Sequence, residues 1–166
     1  PAPAPRRTSS RSGGTVSGAS NATTYQSIAT SLGTVNVTPL TSLLVANLAG
    51  TATPNTWFTN LTPAQLTAIT STQVGTSLTN LRTALKLTAL NAIDPITLPF
   101  NPAPGVAMDD ILSALGTAMA SNPALSYANL LASSGASAGA AITPPAGLDA
   151  ALTAVYVAAP ASACLE

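Results

Sequence analysis

The chain has 166 residues and zero net charge, and only 6% of its residues are charged while 46% are hydrophobic. An average soluble domain carries about 25% charged residues, so this surface must be built from Thr, Ser, Asn and Ala, a composition common on exported proteins and unlike that of a cytosolic enzyme. The absence of histidine and the single cysteine, Cys164, exclude imidazole chemistry, an internal disulfide framework and any multi-cysteine metal site.

Residues 1–20 alternate Pro with Ala and then run through Arg, Ser, Thr and Gly, and they read as a linker or arm. Such a segment buries too little to offset its own ordering entropy, so a neighbouring subunit or domain is expected to hold it if it is ordered. Arg6, Arg7 and Arg11 lie here and only Arg82 and Lys86 follow, leaving the rest of the chain at −3. Three arginines fall short of the blocks of roughly five or more like charges that mark nucleic-acid-binding tails, and no nucleic-acid partner is expected. The start lacks both a Met and a basic-then-apolar leader, which reads as a processed chain or an excised fragment.

Residues 21–166 read as one all-α domain, a bundle of about five to seven short helices. Tyr25, Ile28 and Leu32 fit a helix, but with Val35 and Val37 they equally fit an extended entry, and the spacing does not separate the two. Thr38-Pro39 then opens a helix through Leu40, Leu43, Leu44 and Leu48, which Gly50 stops. Thr53-Pro54 starts a short turn carrying Trp57 and Phe58, two of only six aromatics, which are expected to anchor the core, with the lining of a sugar or peptide groove as the lesser alternative. Thr62-Pro63-Ala64-Gln65 fits a capping box ahead of Leu66 and Ile69. Val74, Leu78, Leu81 and Leu85 lie on one helical stripe, with Arg82 and Lys86 near its favourable C-terminal end.

From Thr88 to Gly105 four prolines and no sustained periodicity predict a long irregular connection. Asp109 and Asp110 stand where the next helix begins, ahead of Ile111, Leu112, Leu115 and Met119. Asn122-Pro123 repeats the cap-and-proline device and predicts a sixth helix through Leu125, Leu130 and Leu131 up to Gly135. A small-residue loop from Ser133 to Ala141 precedes Thr143-Pro144-Pro145 and a last helix on Leu148, Leu152, Val155 and Tyr156. No apolar run reaches the roughly 18 residues that a membrane-spanning helix requires.

The stretch Gly33-Thr34-Val35-Asn36-Val37-Thr38-Pro39-Leu40-Thr41 resembles a segment of large Gram-negative, especially β-proteobacterial, exported proteins of uncharacterised function. In them an Asn-hydrophobe-Thr-Pro-Leu-Thr element opens a helical region after an Ig-like or carboxypeptidase-regulatory-like β-domain. Met108 to Leu115 and Ser126 to Leu131 are similar to parts of the same proteins, so the resemblance spans roughly Thr24 to Ser133. It implies a surface or periplasmic setting and a helical fold, and it transfers no functional residue. The chain departs from that pattern in lacking the preceding β-domain, of which its N-terminal third is then read as a remnant.

Gly135-Ala136-Ser137-Ala138-Gly139 matches the nucleophile elbow of serine hydrolases letter for letter. That mechanism requires a base, and with no histidine only Lys86 is left to serve Ser137, so a small-residue loop is the better reading. Asp109 and Asp110 are adjacent and suit a helix start rather than an acid–base pair. Asp94, Asn101 and Asp109 offer oxygen ligands for calcium without the spacing of a known loop. Asn21, Asn36 and Asn60 each begin an Asn-X-Thr acceptor. Ala161-Ser162-Ala163-Cys164 looks like a lipoprotein cleavage site at the wrong end of the chain, and Leu165-Glu166 carries no functional signal.

These readings leave a non-catalytic structural or interaction module of a secreted or cell-surface protein, without a cofactor or metal and with a protein partner, either a second copy or a neighbouring domain. The candidate contact residues are Arg6, Arg7, Arg11, Trp57, Phe58 and Cys164. A helical binding domain for a small apolar ligand is the alternative.

Overall fold

The structure, a computed structural model, describes residues 7–11, 15–16, 19–20, 23–30, 33–86, 94–97 and 107–158, and for 7–20, 107–110 and 155–158 it describes the backbone alone. The all-α expectation holds. Seven helices occupy the described residues: α1 Pro39–Ala49, α2 Pro54–Thr59, α3 Pro63–Ala68, α4 Ser71–Ala84, α5 Ala107–Ser121, α6 Tyr127–Ala136 and α7 Leu148–Ala158. Ahead of them run short strands, β1 Arg7–Arg11, β2 Thr15–Val16, β3 Ala19–Ser20 and β4 Tyr25–Ala29.

Helix starts follow from local chemistry. Thr38 is extended, its hydroxyl accepts from Thr41 N at 3.3 Å, and Thr41 Oγ1 accepts from Thr38 N at 2.9 Å, so a second Thr fills the place usually taken by Glu or Gln. Pro39 supplies a first residue with no N–H to satisfy. Gly50, at φ 66, ends the helix by donating to the carbonyls of Ala46 and Asn47. Thr62 with Gln65 and Thr70 with Gln73 repeat the box for α3 and α4. The Thr38 box differs in being buried. Thr38→Ala therefore strips the buried Thr41 N–H of its partner and lowers the unfolding free energy by about 1–2 kcal/mol, whereas the exposed Thr62→Ala costs about half that. Urea denaturation of the two variants measures the difference.

Helix α1 is the centre. Every residue from Leu40 to Asn47 is buried, as befits a helix surrounded on all sides. It packs against α6, β4, α4 and α2, while α5 packs against α7. Its Leu40, Leu43, Leu44 and Val45 join Ile28, Leu81, Ile111, Leu115, Leu130, Leu148 and Leu152 in one core.

The open choice at residues 25–37 resolves for Tyr25–Ala29 as strand β4, and Leu32 lies outside the described residues. The reason is long-range. Gln26 N donates to Ser42 Oγ at 2.8 Å, so α1 takes one edge of the strand, and β1 pairs antiparallel along the other, from Arg7 opposite Ala29 to Arg11 opposite Tyr25. Part of the predicted arm is thus held by the chain's own strand rather than by a neighbour. A short β2–β3 ribbon pairs Thr15 with Ser20 and Val16 with Ala19.

Two boundaries near α6 differ from expectation. Asn122-Pro123 does not start the helix, because Asn122 Oδ1 accepts from Ala124 N at 3.1 Å and its carbonyl accepts from Leu125 N at 2.9 Å, closing a turn. Ser126 caps instead, accepting from Asn129 N at 3.1 Å. Gly135 does not stop the helix but lies within it, because the glycine is required for packing: a Cβ there would overlap the Thr51 carbonyl and approach Ala52 N to 2.5 Å. Of the 88–105 connection only a turn at 94–97 is described, held by Asp94, whose Oδ1 accepts from Ile96 N at 2.9 Å and Oδ2 from Thr97 Oγ1 at 2.7 Å.

Candidate functional site

The hydrolase lookalike is a helix end. Ser137 caps α6 and its Oγ donates to Ser133 O at 3.0 Å, so the hydroxyl is committed and no strand leads into the turn. Lys86 is bonded elsewhere. It sits at φ 55 just past α4 and its Nζ lies 2.6 Å from Asp149 Oδ1 and 3.1 Å from Thr153 Oγ1, joining α4 to the start of α7. Both charged partners are exposed, so this pair contributes little stability. Among the described residues no three potential metal ligands cluster. Asp94 is spent on its turn; Asn101 lies outside the described residues, as do the side chains of Asp109 and Asp110.

The buried polar side chains form two groups that sequence reading did not connect. The first fixes the turn after α6. Asn47, fully buried in α1, donates from Nδ2 to Ser134 O at 3.3 Å and Ala140 O at 3.1 Å, and its Oδ1 accepts from Asn80 Nδ2 at 3.2 Å. Asn80 also reaches Gly139 O at 2.9 Å and Ala140 O at 2.8 Å. Polar groups inside the core have to be paired in this way because water is excluded.

The second group surrounds Gln26, which is also fully buried. Its Nε2 donates to Thr24 O at 3.0 Å and to Asn55 Oδ1 at 3.1 Å, and its Oε1 has no partner among the described residues. Beside it Tyr127 donates its hydroxyl to Pro39 O at 3.0 Å and sets its ring edge-on to Tyr25, centroids 6.1 Å apart. Burial pushes the Tyr127 phenol well above its ordinary value of 10.0, partly offset by a hydrogen bond with Ser42.

A phenol held neutral in the folded state and free to ionise in the unfolded one stabilises the fold fully below the unfolded value. That contribution falls as pH climbs toward the higher folded value, by about 1.4 kcal/mol per pH unit. Unfolding curves measured from pH 8 upward should therefore steepen in their decline above about pH 10. Tyr127→Phe costs about 1–2 kcal/mol at pH 7 through the lost bond to Pro39 O and should flatten that alkaline decline.

The predicted contact residues scatter. Arg7 and Arg11 stand at the two ends of β1, and Arg6 and Cys164 lie outside the described residues. Trp57 is half-buried, with one side packed on the core, and Phe58 is half-buried beside it, so the pair sits at the rim and not in the interior. Asn36, the second acceptor asparagine, is buried with its amide donated to Pro95 O at 3.3 Å, while Asn60 is exposed.

Space for a ligand is unevenly placed. The apolar junction of Leu43, Leu81, Leu85, Leu130, Ile142 and Leu148 encloses only about 10 Å³, room for about one water and no more. That counts against an apolar small ligand at this junction. Wider depressions lie on either side of the start of α2: about 220 Å³ next to Gln26 and Tyr127, and about 280 Å³ next to Trp57. No helix among the described residues is long and apolar enough to cross a membrane.

No family model, curated protein or solved structure matches this chain.

Proposed function

We propose that this chain is a non-catalytic structural or interaction module of a secreted or cell-surface protein, acting through contacts with a neighbouring protein subunit or domain. The observation that carries this reading is the strand β1. It borders β4 on one side, and its other edge has no partner strand among the described residues. Such an edge presents a row of backbone donors and acceptors that a strand from another chain can extend. Its sequence, Arg-Thr-Ser-Ser-Arg, spends no apolar residue there, so recognition rests on backbone bonds and on the two terminal charges.

Two further features support the same reading. The hydroxyl groups that chemistry could have used at Ser137, Thr38, Thr62 and Thr70 are consumed by helix ends. The sparsely charged composition is that of exported proteins, in line with the resemblance carried by the Thr38-Pro39 region.

Light scattering after size exclusion tests the proposal on the intact chain and on one lacking residues 1–20, each with and without reductant. A defined oligomer lost on trimming assigns assembly to β1, and one lost on reduction assigns it to Cys164. A monomer under every condition, with circular dichroism unchanged by trimming, argues against self-assembly through either.

A further inference from the structure

The two depressions beside α2 share Thr53 and Thr56 in their linings, so they lie side by side across the start of that helix. Neither is lined by a charged side chain. Around the Trp57 depression the polar groups divide sharply by commitment. Thr51 and Thr53 bond each other at 3.0 Å, and Gln65 Oε1 is held by Thr62 N at 2.9 Å. By contrast the Trp57 indole N–H, the Asn60 amide, the Thr56 hydroxyl and Gln65 Nε2 make no bond to any described residue, and these four residues line the same space.

The ring itself is fixed, since one side of Trp57 packs on the core. A fixed, part-exposed indole with neutral donors at its margin suits a ligand that has an apolar face and neutral hydroxyls at its edge. A sugar ring has that form, and an ion does not. At about 280 Å³ the space is near the small end of ligand sites, roughly 300 Å³.

We propose that this pair of depressions binds a neutral oligosaccharide. One sugar ring stacks on Trp57 with its hydroxyls meeting Asn60, Thr56 and Gln65. The chain then passes Thr53 and Thr56, and the next ring enters the depression backed by Gln26 and Tyr127. A proline-rich peptide also stacks on aromatics, but its grooves are lined by several rings, and Trp57 is the sole aromatic bordering its depression. This site does not use the open edge of β1, and binding to it does not require assembly.

Trp57 is the only tryptophan, so its fluorescence reports on the site directly. The intact chain is titrated with tetramers of β-1,4-glucose, α-1,4-glucose and N-acetylglucosamine, with an acidic oligogalacturonate and an oligoproline as comparators. A saturable change with at least one neutral tetramer is expected. Calorimetry with that tetramer should then show at least tenfold weaker binding for Asn60→Ala, a surface change that leaves the melting curve intact, and a loss of binding for Trp57→Ala. Silence from all three neutral tetramers overturns the proposal. So does a response confined to the oligoproline or the acidic sugar, or binding that Asn60→Ala leaves unchanged.

Discussion

Replacing Gly135 by alanine is expected to cost about 3 kcal/mol of stability, at the upper end for overpacking. The added methyl would overlap the backbone carbonyl of Thr51 and lie 2.5 Å from Ala52 N. Backbone cannot rotate away as a side chain does, so α6 must lift off the end of α1. That contact is part of the interface between α1 and α6 on which the core is built. The same substitution at two other helical glycines has the opposite sign. At Gly75 in α4 and Gly116 in α5 nothing lies within 4 Å of the place a methyl would take, so alanine there stabilises each helix by about 0.5–1 kcal/mol through propensity alone. Urea denaturation of the three variants gives the comparison. Equal stabilities for all three would mean that α6 does not approach the Thr51–Ala52 backbone this closely.

Glycine at 135 also shows where sequence reading stops. A glycine after an apolar run has two uses, ending a helix or letting another segment approach, and both look alike in one dimension. At Gly50 the first holds and at Gly135 the second. Helix starts were more legible, because the hydroxyl, the proline and the reciprocal side chain lie within four residues and act on each other without help from the rest of the chain. Asn122-Pro123 misled for the same local reason. Asn122 folds back on Ala124 N, and Ser126 is an equally good cap closer to the apolar residues of α6. Residues 25–29 were undecidable locally, since their conformation depends on Ser42 and on β1, which lie far along the chain.

The polar sites were the least legible part. Ser137 has no histidine in the sequence to activate it, and its hydroxyl is bound to Ser133 O. Nothing in the sequence joins Asn47 to Asn80 and Ala140, which are 33 and 93 residues away. One signal was available: an asparagine placed among Leu43, Leu44, Val45, Ala46 and Leu48 must either break an apolar helix or satisfy buried groups elsewhere. Trp57 presented the reverse difficulty. An aromatic in a chain so poor in them reads as core, and only the three-dimensional arrangement leaves part of its ring at the surface among uncommitted donors.

Asn47→Ala is expected to lower stability by about 3 kcal/mol, more than truncating any of the exposed caps. The loss has little to do with volume. Asn47 Nδ2 serves the buried Ser134 carbonyl and the Ala140 carbonyl and its Oδ1 orients Asn80, so removing it leaves a buried acceptor without its side-chain donor, at about 1–3 kcal/mol, and loosens the two part-buried bonds beside it. Asn47→Leu does not rescue the loss, because the partners remain polar after the residue becomes apolar. Asn47 and Asn80 share the Ala140 carbonyl as well as their own bond, so they act as a unit. The double variant with Asn80→Ala should therefore lose less than the two single losses combined, by about 1 kcal/mol. The Gly139 amide, which donates to Asn47 O at 2.7 Å, gives a second reading. Because that bond uses the Asn47 backbone, it survives substitution only if the turn keeps its place, and its hydrogen exchange should accelerate in Asn47→Ala by more than global destabilisation accounts for. Additive losses together with unchanged relative exchange at Gly139 would show that the turn after α6 is held by packing alone, and that the two asparagines merely accompany it.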